Sequence, residues 1–215
     1  MAINGRVSLA KSDFDAGIGK HMQDSQVIAG VADRTALSMS VSNQTDSEVL
    51  ISWTFTWQPE AADDYVTDRH SIDDAHTIPQ TFFDRLAKLG HLAEPFQSVL
   101  SPNNARQTAM YNWLMRSIQI PKHELIKSAD NGIALIGDAA HAMPIVAGEG
   151  GNHALLDGMQ LGEALALAQP GTDSLVHQVQ TFYQAQHARW ETGVLSSQER
   201  FFELHKPIEQ WRSLQ

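Results

Sequence analysis

Between Gly137 and Gly158 the chain reads GDAAHAMPIVAGEGGNHALLDG, a span holding Asp138, His141, Glu149, His153 and Asp157. Imidazoles move protons near neutral pH, and a carboxylate in an apolar cleft can have its pKa raised until it serves as an acid. Asp138, His141, Glu149 and His153 are therefore the candidate catalytic residues, with Asp138 and His141 foremost because the loop points them toward one place. Structural alternatives stand beside each. Asp138 can bond its own loop, Glu149 and Asp157 can favour the positive end of a helix, and His153 can ride on an exposed helix face. The glycines at 148, 150 and 151 precede a helical pattern. Free N–H groups at such a helix start bind a negatively polarised oxygen, and a carboxylate such as Asp138 accepts from ligand hydroxyls.

Other chemistry-bearing residues form weaker patterns. Asp63, Asp64, Asp68, His70, Asp73, Asp74 and His76 are rich in possible ligands, but their spacing fits no compact metal site, and a solvated acidic loop is the better reading. No G-x-S-x-G elbow occurs. Trp53, Phe55, Trp57 and Trp113 could line an apolar pocket with Met143, Ile145 and Val146, although core packing is the default for the aromatic residues.

These residues need elements to position them. RVSLA (6–10), QVIAGV (26–31), LSMSVS (37–42) and EVLISWTFTWQ (48–58) read as strands, the last with Trp53, Phe55 and Trp57 on one face and Ser52, Thr54 and Thr56 on the other. NQTDS (43–47) is a turn. Residues 59–76 read as a surface loop, Pro79 to Gly90 as a helix, 94–100 as a second short helix and YNWLMRSIQI (111–120) as a strand closed by Pro121. Asn131-Gly132 turns into IALI (133–136), an apolar run suited to a strand covered on both faces. Helices follow from Ala154 to Ala168 and from about Asp173 onward, the latter with a stripe of Val176, Val179, Tyr183, Trp190, Val194 and Phe201.

The 137–158 span resembles the second flavin-binding motif of the class A flavoprotein monooxygenases, the p-hydroxybenzoate hydroxylase-like family, and GEGGNHALLD looks most like fungal members. The likeness is specific over Ile133 to Leu167 and looser through the strand-rich region, which is similar to that family's substrate-binding domain. It implies that Asp138 contacts the ribityl chain of FAD and that the backbone at Gly148, Gly150, Gly151 and Asn152 faces the pyrimidine edge of the flavin. Ile145 and Ala147 stand where the family has a second proline and an arginine. The family's G-x-G-x-x-G segment for the ADP half of FAD has no counterpart here, since Gly17-Ile18-Gly19 follows no apolar strand and lacks the third glycine.

The expected architecture is α+β in one compact domain: an antiparallel sheet with helices over 1–130, then a residual flavin loop, glycine-loop helix and long C-terminal helix over 131–215, without a complete Rossmann domain. The formal net charge of −10 disfavours nucleic acid and anionic membranes. No apolar run approaches a membrane span, and the absence of cysteine removes thiolate chemistry, so the chain reads as cytoplasmic. The leading functional expectation is a cofactor-free cyclase or isomerase, such as a [4+2] pericyclase, folding a hydrophobic natural-product intermediate in a cavity between the glycine loop and the aromatic sheet face. Two alternatives stand beside it. One is the C-terminal half or subunit of an FAD-dependent monooxygenase needing a partner, and the other is a non-catalytic binder of lipophilic ligands. A rebuilt local sheet, a homodimer interface or a separately encoded N-terminal partner is expected to cover the IALI strand. No metal is expected.

Overall fold

The computed structural model describes residues 1–22, 25–59, 75–106, 108–169 and 172–212. Two compact units emerge: residues 1–114 with 204–215, and residues 115–203. The sequence reading takes the chain as one compact domain whose two parts meet at 130/131. The fold divides it at 114/115, and the chain end after the last long helix rejoins the first unit.

Unit 1 is built on five antiparallel strands: β1 (Ala2–Ala10), β2 (Val27–Ala32), β3 (Thr35–Gln44), β4 (Glu48–Trp57) and β5 (Ala109–Trp113), in the order β2-β3-β4-β1-β5. Alternation in β4 is strict, with Val49, Ile51, Trp53, Phe55 and Trp57 all buried. Those side chains meet Leu37, Met39 and Ile3 and are covered by α2 (Gln80–Lys88) and α3 (Phe96–Leu100), which contribute Phe82, Phe83, Leu86, Phe96, Val99 and Leu100. The Phe82 ring centre lies 5.2 Å from that of Phe55, edge-on, and 6.5 Å from those of Trp53 and Trp57. Gly5 is required beneath this cluster, because a Cβ there would fall on the Trp53 indole ring. Each buried aromatic contributes about 1.5–3 kcal/mol through transfer from water, so this layer is the principal stabiliser of the unit.

The β3–β4 turn follows the polar sequence, as expected: Thr45 Oγ1 accepts from the Glu48 N–H at 3.0 Å. A short helix, α1 (Lys11–Ala16), was not legible in the sequence, nor was the return of the chain end. There His205 Nε2 meets Thr56 Oγ1 at 3.0 Å, and the Ile208 N–H donates to Asp33 Oδ1 at 3.2 Å. The predicted strand over 111–120 is shortened to β5, which ends at Trp113. Beyond it, the N–H groups of Ile118 and Ile120 bond instead to the carbonyls of Ala142 and Ala140, each at 2.9 Å. Of the 59–76 loop and its metal-site residues, Asp63, Asp64, Asp68, His70, Asp73 and Asp74 lie outside the described residues.

Unit 2 is helical. It contains α5 (Lys122–Asp130), α6 (Asp138–His141), α7 (Gly150–Ala166) and most of the 33-residue α8 (Thr172–Leu204); α4 (Pro102–Arg106) and α9 (Ile208–Arg212) belong to unit 1. The α8 stripe is interior, with Val179, Phe182, Tyr183 and Trp190 packed on Leu125, Ala129 and Ala140. IALI is not a strand. Residues 133–136 belong to no regular element, and their backbone groups are taken singly. The Ile133 N–H reaches the Ser128 carbonyl at 3.0 Å, and the Leu135 N–H reaches the Tyr183 hydroxyl at 2.7 Å. The backbone groups of Ala134 and Ile136 have no partner among the described residues, because a strand needs a second strand and unit 2 provides none.

Candidate functional site

The glycine loop is anchored from beneath by Asp157, which is fully buried in the middle of α7. Its Oδ2 accepts from the Gly137 N–H at 3.0 Å and from His141 Nε2 at 2.5 Å. Its Oδ1 accepts from Trp190 Nε1 at 2.7 Å and from the Arg189 guanidinium. One carboxylate thus ties the turn before α6, α6 itself and two points on α8 to α7. Burial pushes the Asp157 carboxyl up, but the hydrogen bonds from His141, Gly137, Arg189 and Trp190 outweigh it and hold the group below its ordinary value of 3.8.

His141 is interior. Its ring is 1% exposed and lies against Trp190 with centroids 4.6 Å apart; Nδ1 has no partner among the described residues. Of the four candidate catalytic residues it is the one withdrawn from solvent, and the geometry gives it the work of holding the loop. His153 is half-buried. Its Nδ1 meets Arg189 Nη1 at 2.9 Å, and burial first, then the Arg189 charge and His141, lower its pKa from 6.5 against the opposing pull of Glu149 and Asp157. Asp138 and Glu149 are exposed.

Above this anchor the loop is open. Gly137 has φ +56° and Gly148 φ +69°, the left-handed region that glycine enters without strain. No side chain caps α7, no acidic residue stands in its first turn, and the N–H groups of Gly150, Gly151 and Asn152 have no acceptor among the described residues. A Cβ on Gly148 or Gly151 would meet nothing within 4 Å. Free donors at the start of a 17-residue helix, with a free Asp138 carboxylate beside them, fit the polar edge and hydroxylated chain of a flavin. Met143 is buried beneath the loop, Ile145 is exposed and Val146 half-buried, so the apolar substitution at Ile145 faces outward.

The aromatic wall expected from the sequence is interior. Trp53, Phe55 and Trp57 are at most 1% exposed, so the helices of unit 1 fill the space that the cavity reading assigned to a ligand. The opposite sheet face is open and polar. Asn4, Arg6, Ser38, Ser40, Ser52 and Thr54 lie on it, with Tyr111 and Trp113 of β5 at one side. Trp113 is therefore on the accessible face; its indole N–H donates to Asn4 Oδ1, and Asn4 Nδ2 donates to Thr54 Oγ1 at 2.6 Å. Among the described residues no cluster of three or more His, Asp or Glu could hold a metal ion, and no helix is long and apolar enough to cross a membrane.

Comparison with known proteins agrees with this geometry. The sequence profile described as FAD binding domain matches residues 115–187. An FAD-dependent monooxygenase, nscC of Arthroderma otae, is 33% identical over 98% of this chain and 52% of its own length. The crystal structure of FqzB superposes with a TM-score of 0.61 at 22% identity, over 99% of this chain and 47% of that one. Klebsiella pneumoniae HpxO, solved with FAD and uric acid, gives 0.58 at 16% identity over 99% and 47%. The chain spans about half the length of the curated relatives it matches, and over that half it is similar to FAD-dependent monooxygenases of the fungal nscC type.

Proposed function

We propose that this chain is the substrate-sheet and flavin-loop portion of an FAD-dependent monooxygenase, acting together with a dinucleotide-binding portion. The observation that carries the reading is the glycine loop: uncapped, unobstructed donors at the start of α7 beside a free Asp138, all held by the buried Asp157. Flavin chemistry, when the cofactor is bound, would pass electrons from NAD(P)H to dioxygen and oxygen to the substrate. The chain's own residues bind and orient. Asp138 accepts from ribityl hydroxyls, the N–H groups of Gly150, Gly151 and Asn152 face the pyrimidine edge, and Asp157 with Arg189 keeps their spacing fixed.

Unit 2 also offers a surface for the second portion. Leu155 and Met159 on α7 are 71% and 66% exposed, Gly158 and Gly162 lie beside them, and Ile133 is exposed on the unpaired 133–136 segment. An exposed apolar helix face, with the free backbone groups of Ala134 and Ile136 in the same unit, suits a protein partner that covers apolar surface. The curated relative above is named an FAD-dependent monooxygenase and the HpxO structure holds FAD, which favours this reading over the cofactor-free cyclase; nothing in the geometry calls for the latter.

The test is reconstitution with the N-terminal half of the Arthroderma otae relative. The pair should copurify with stoichiometric FAD and consume oxygen with NAD(P)H when a substrate is present, and Leu155→Glu should abolish assembly. A pair that assembles without flavin, or no assembly with Leu155 intact, overturns the proposal.

A further inference from the structure

We propose that a cleft of about 440 Å³ on the helix-covered side of the unit 1 sheet binds a small protonated alkylamine, with the ammonium group at the Asp13 carboxylate and the alkyl chain over Val7, Leu9, Ile18 and Val99. All of these residues belong to unit 1, so the inference stands whether or not unit 2 seats a flavin.

The floor is apolar because the core layer is incompletely covered there. Val7 and Leu9 stand opposite Ile51 and Val49 on the face that carries Ile3 and Trp53, yet they remain half-buried while Ile51 and Val49 are fully enclosed. One wall is α1 with the Gly17-Ile18 turn behind it; the other is α3, α4 and Thr108. The volume lies within the range of small-ligand sites, about 300–1,000 Å³, and admits a chain of several carbons.

The rim offers acceptors more than donors. The Ser98 hydroxyl gives its hydrogen to Glu94 Oε2 at 2.6 Å, Asn104 Nδ2 donates to the Ser98 carbonyl at 2.7 Å, and the Thr108 hydroxyl donates to the Asn104 carbonyl at 3.0 Å. Both hydroxyls therefore turn lone pairs outward. Across from them Asp13 stands in the first turn of α1, and its carboxylate has no hydrogen-bond or ion-pair partner among the described residues. The basic residues of α1 and α4 are engaged elsewhere: Lys11 pairs with Asp15, and Arg106 lies 3.9 Å from the centre of the Phe83 ring and donates to Gln80. An ammonium group carries three donors and no acceptor, which matches this rim, whereas an anion would face the Asp13 and Glu94 charges in a chain already at −10. The apolar floor then selects an ammonium that bears a hydrocarbon chain.

The experiment titrates the full chain with hexylamine, propylamine and 1-hexanol at pH 7, where both amines are protonated, and follows backbone amide shifts by NMR. Hexylammonium should move the amides of Leu9, Ile18 and Val99 along a saturable curve, and bind about tenfold tighter than hexanol, which lacks the charge, and about tenfold tighter than propylammonium, which lacks three methylenes. Asp13→Asn should bring hexylammonium down to the level of hexanol and leave hexanol unchanged. Glu191→Gln, which removes one exposed charge from unit 2, should bind all three probes as the parent does. Equal binding of hexylammonium and hexanol, equal binding of the two amines, a preference that survives in Asp13→Asn or falls as far in Glu191→Gln, or saturable shifts that miss the cleft or never appear overturns the proposal.

Discussion

Asp157→Asn removes the charge at the centre of unit 2 while keeping the size of the side chain. Four donors converge on the carboxylate, two on each oxygen: Gly137 and His141 on Oδ2, Arg189 and Trp190 on Oδ1. Asparagine has one acceptor oxygen, so its NH2 must face one of those pairs. Turned toward Arg189 and Trp190 it meets two donors that cannot reverse. Turned toward Gly137 and His141 it opposes a backbone N–H, and an imidazole that could accept only by placing a proton on Nδ1, which is buried without a partner. Each donor left unpaired costs about 1–3 kcal/mol, and removing one member of a buried ion pair costs about 3–5 kcal/mol. Arg189 is about one quarter exposed and recovers some hydration, which places the expected loss near the lower end, about 3 kcal/mol. Urea unfolding followed by tryptophan fluorescence measures it, with the exposed Asp138→Asn as a control expected within about 0.5 kcal/mol of the parent. A loss below about 1 kcal/mol for Asp157→Asn refutes the view that this carboxylate holds the loop. The same interaction carries a pH signature. Because the folded pKa lies below 3.8, its stabilisation is complete above that value and is lost as pH falls through the lower folded value, and Asp157→Asn should lack this acid limb.

Two further outcomes follow from the geometry. Gly5→Ala should destabilise unit 1 by about 1–3 kcal/mol and alter its near-ultraviolet circular dichroism, since the new Cβ must displace the Trp53 indole; an unchanged spectrum and melting point would contradict the assigned β1 register. His153 has its pKa lowered in the folded state, so the unfolded chain takes up its proton first and stability should decline as pH drops below 6.5; His153→Gln should flatten that slope, and an unaltered slope in the variant would refute the assignment.

Much of this was legible in the sequence for physical reasons. Strict alternation in β4 announces its two faces, and the glycine loop with its helix is marked by residues that only a tight turn and an uncapped helix start require. Reading Trp53, Phe55 and Trp57 as core rather than pocket was also available, because alternation places them on one apolar face; what alternation cannot give is which helices cover it. α5 escaped notice because its 9 residues bury only Leu125 and Ala129, too few to establish a helical period. Asp157 could be recognised as polar but not as an anchor, since two of its partners, Arg189 and Trp190, are 32 and 33 residues further on and arrive by tertiary packing of α8. The 133–136 run misled as a strand for the opposite reason. Its composition is that of a covered strand, while strand pairing depends on a neighbour that residues 115–203 do not contribute.

The claim that unit 2 seats a flavin is tested most directly by FAD affinity in the reconstituted pair, measured by quenching of flavin fluorescence for the parent, Asp138→Ala and Gly151→Val chains. Gly151→Val places a branched side chain where the structure has open space, so the fold should tolerate it while the cofactor should not. The account predicts FAD binding weakened at least about tenfold by either change, with unfolding curves unaltered. Parent-like affinity in both variants would contradict it.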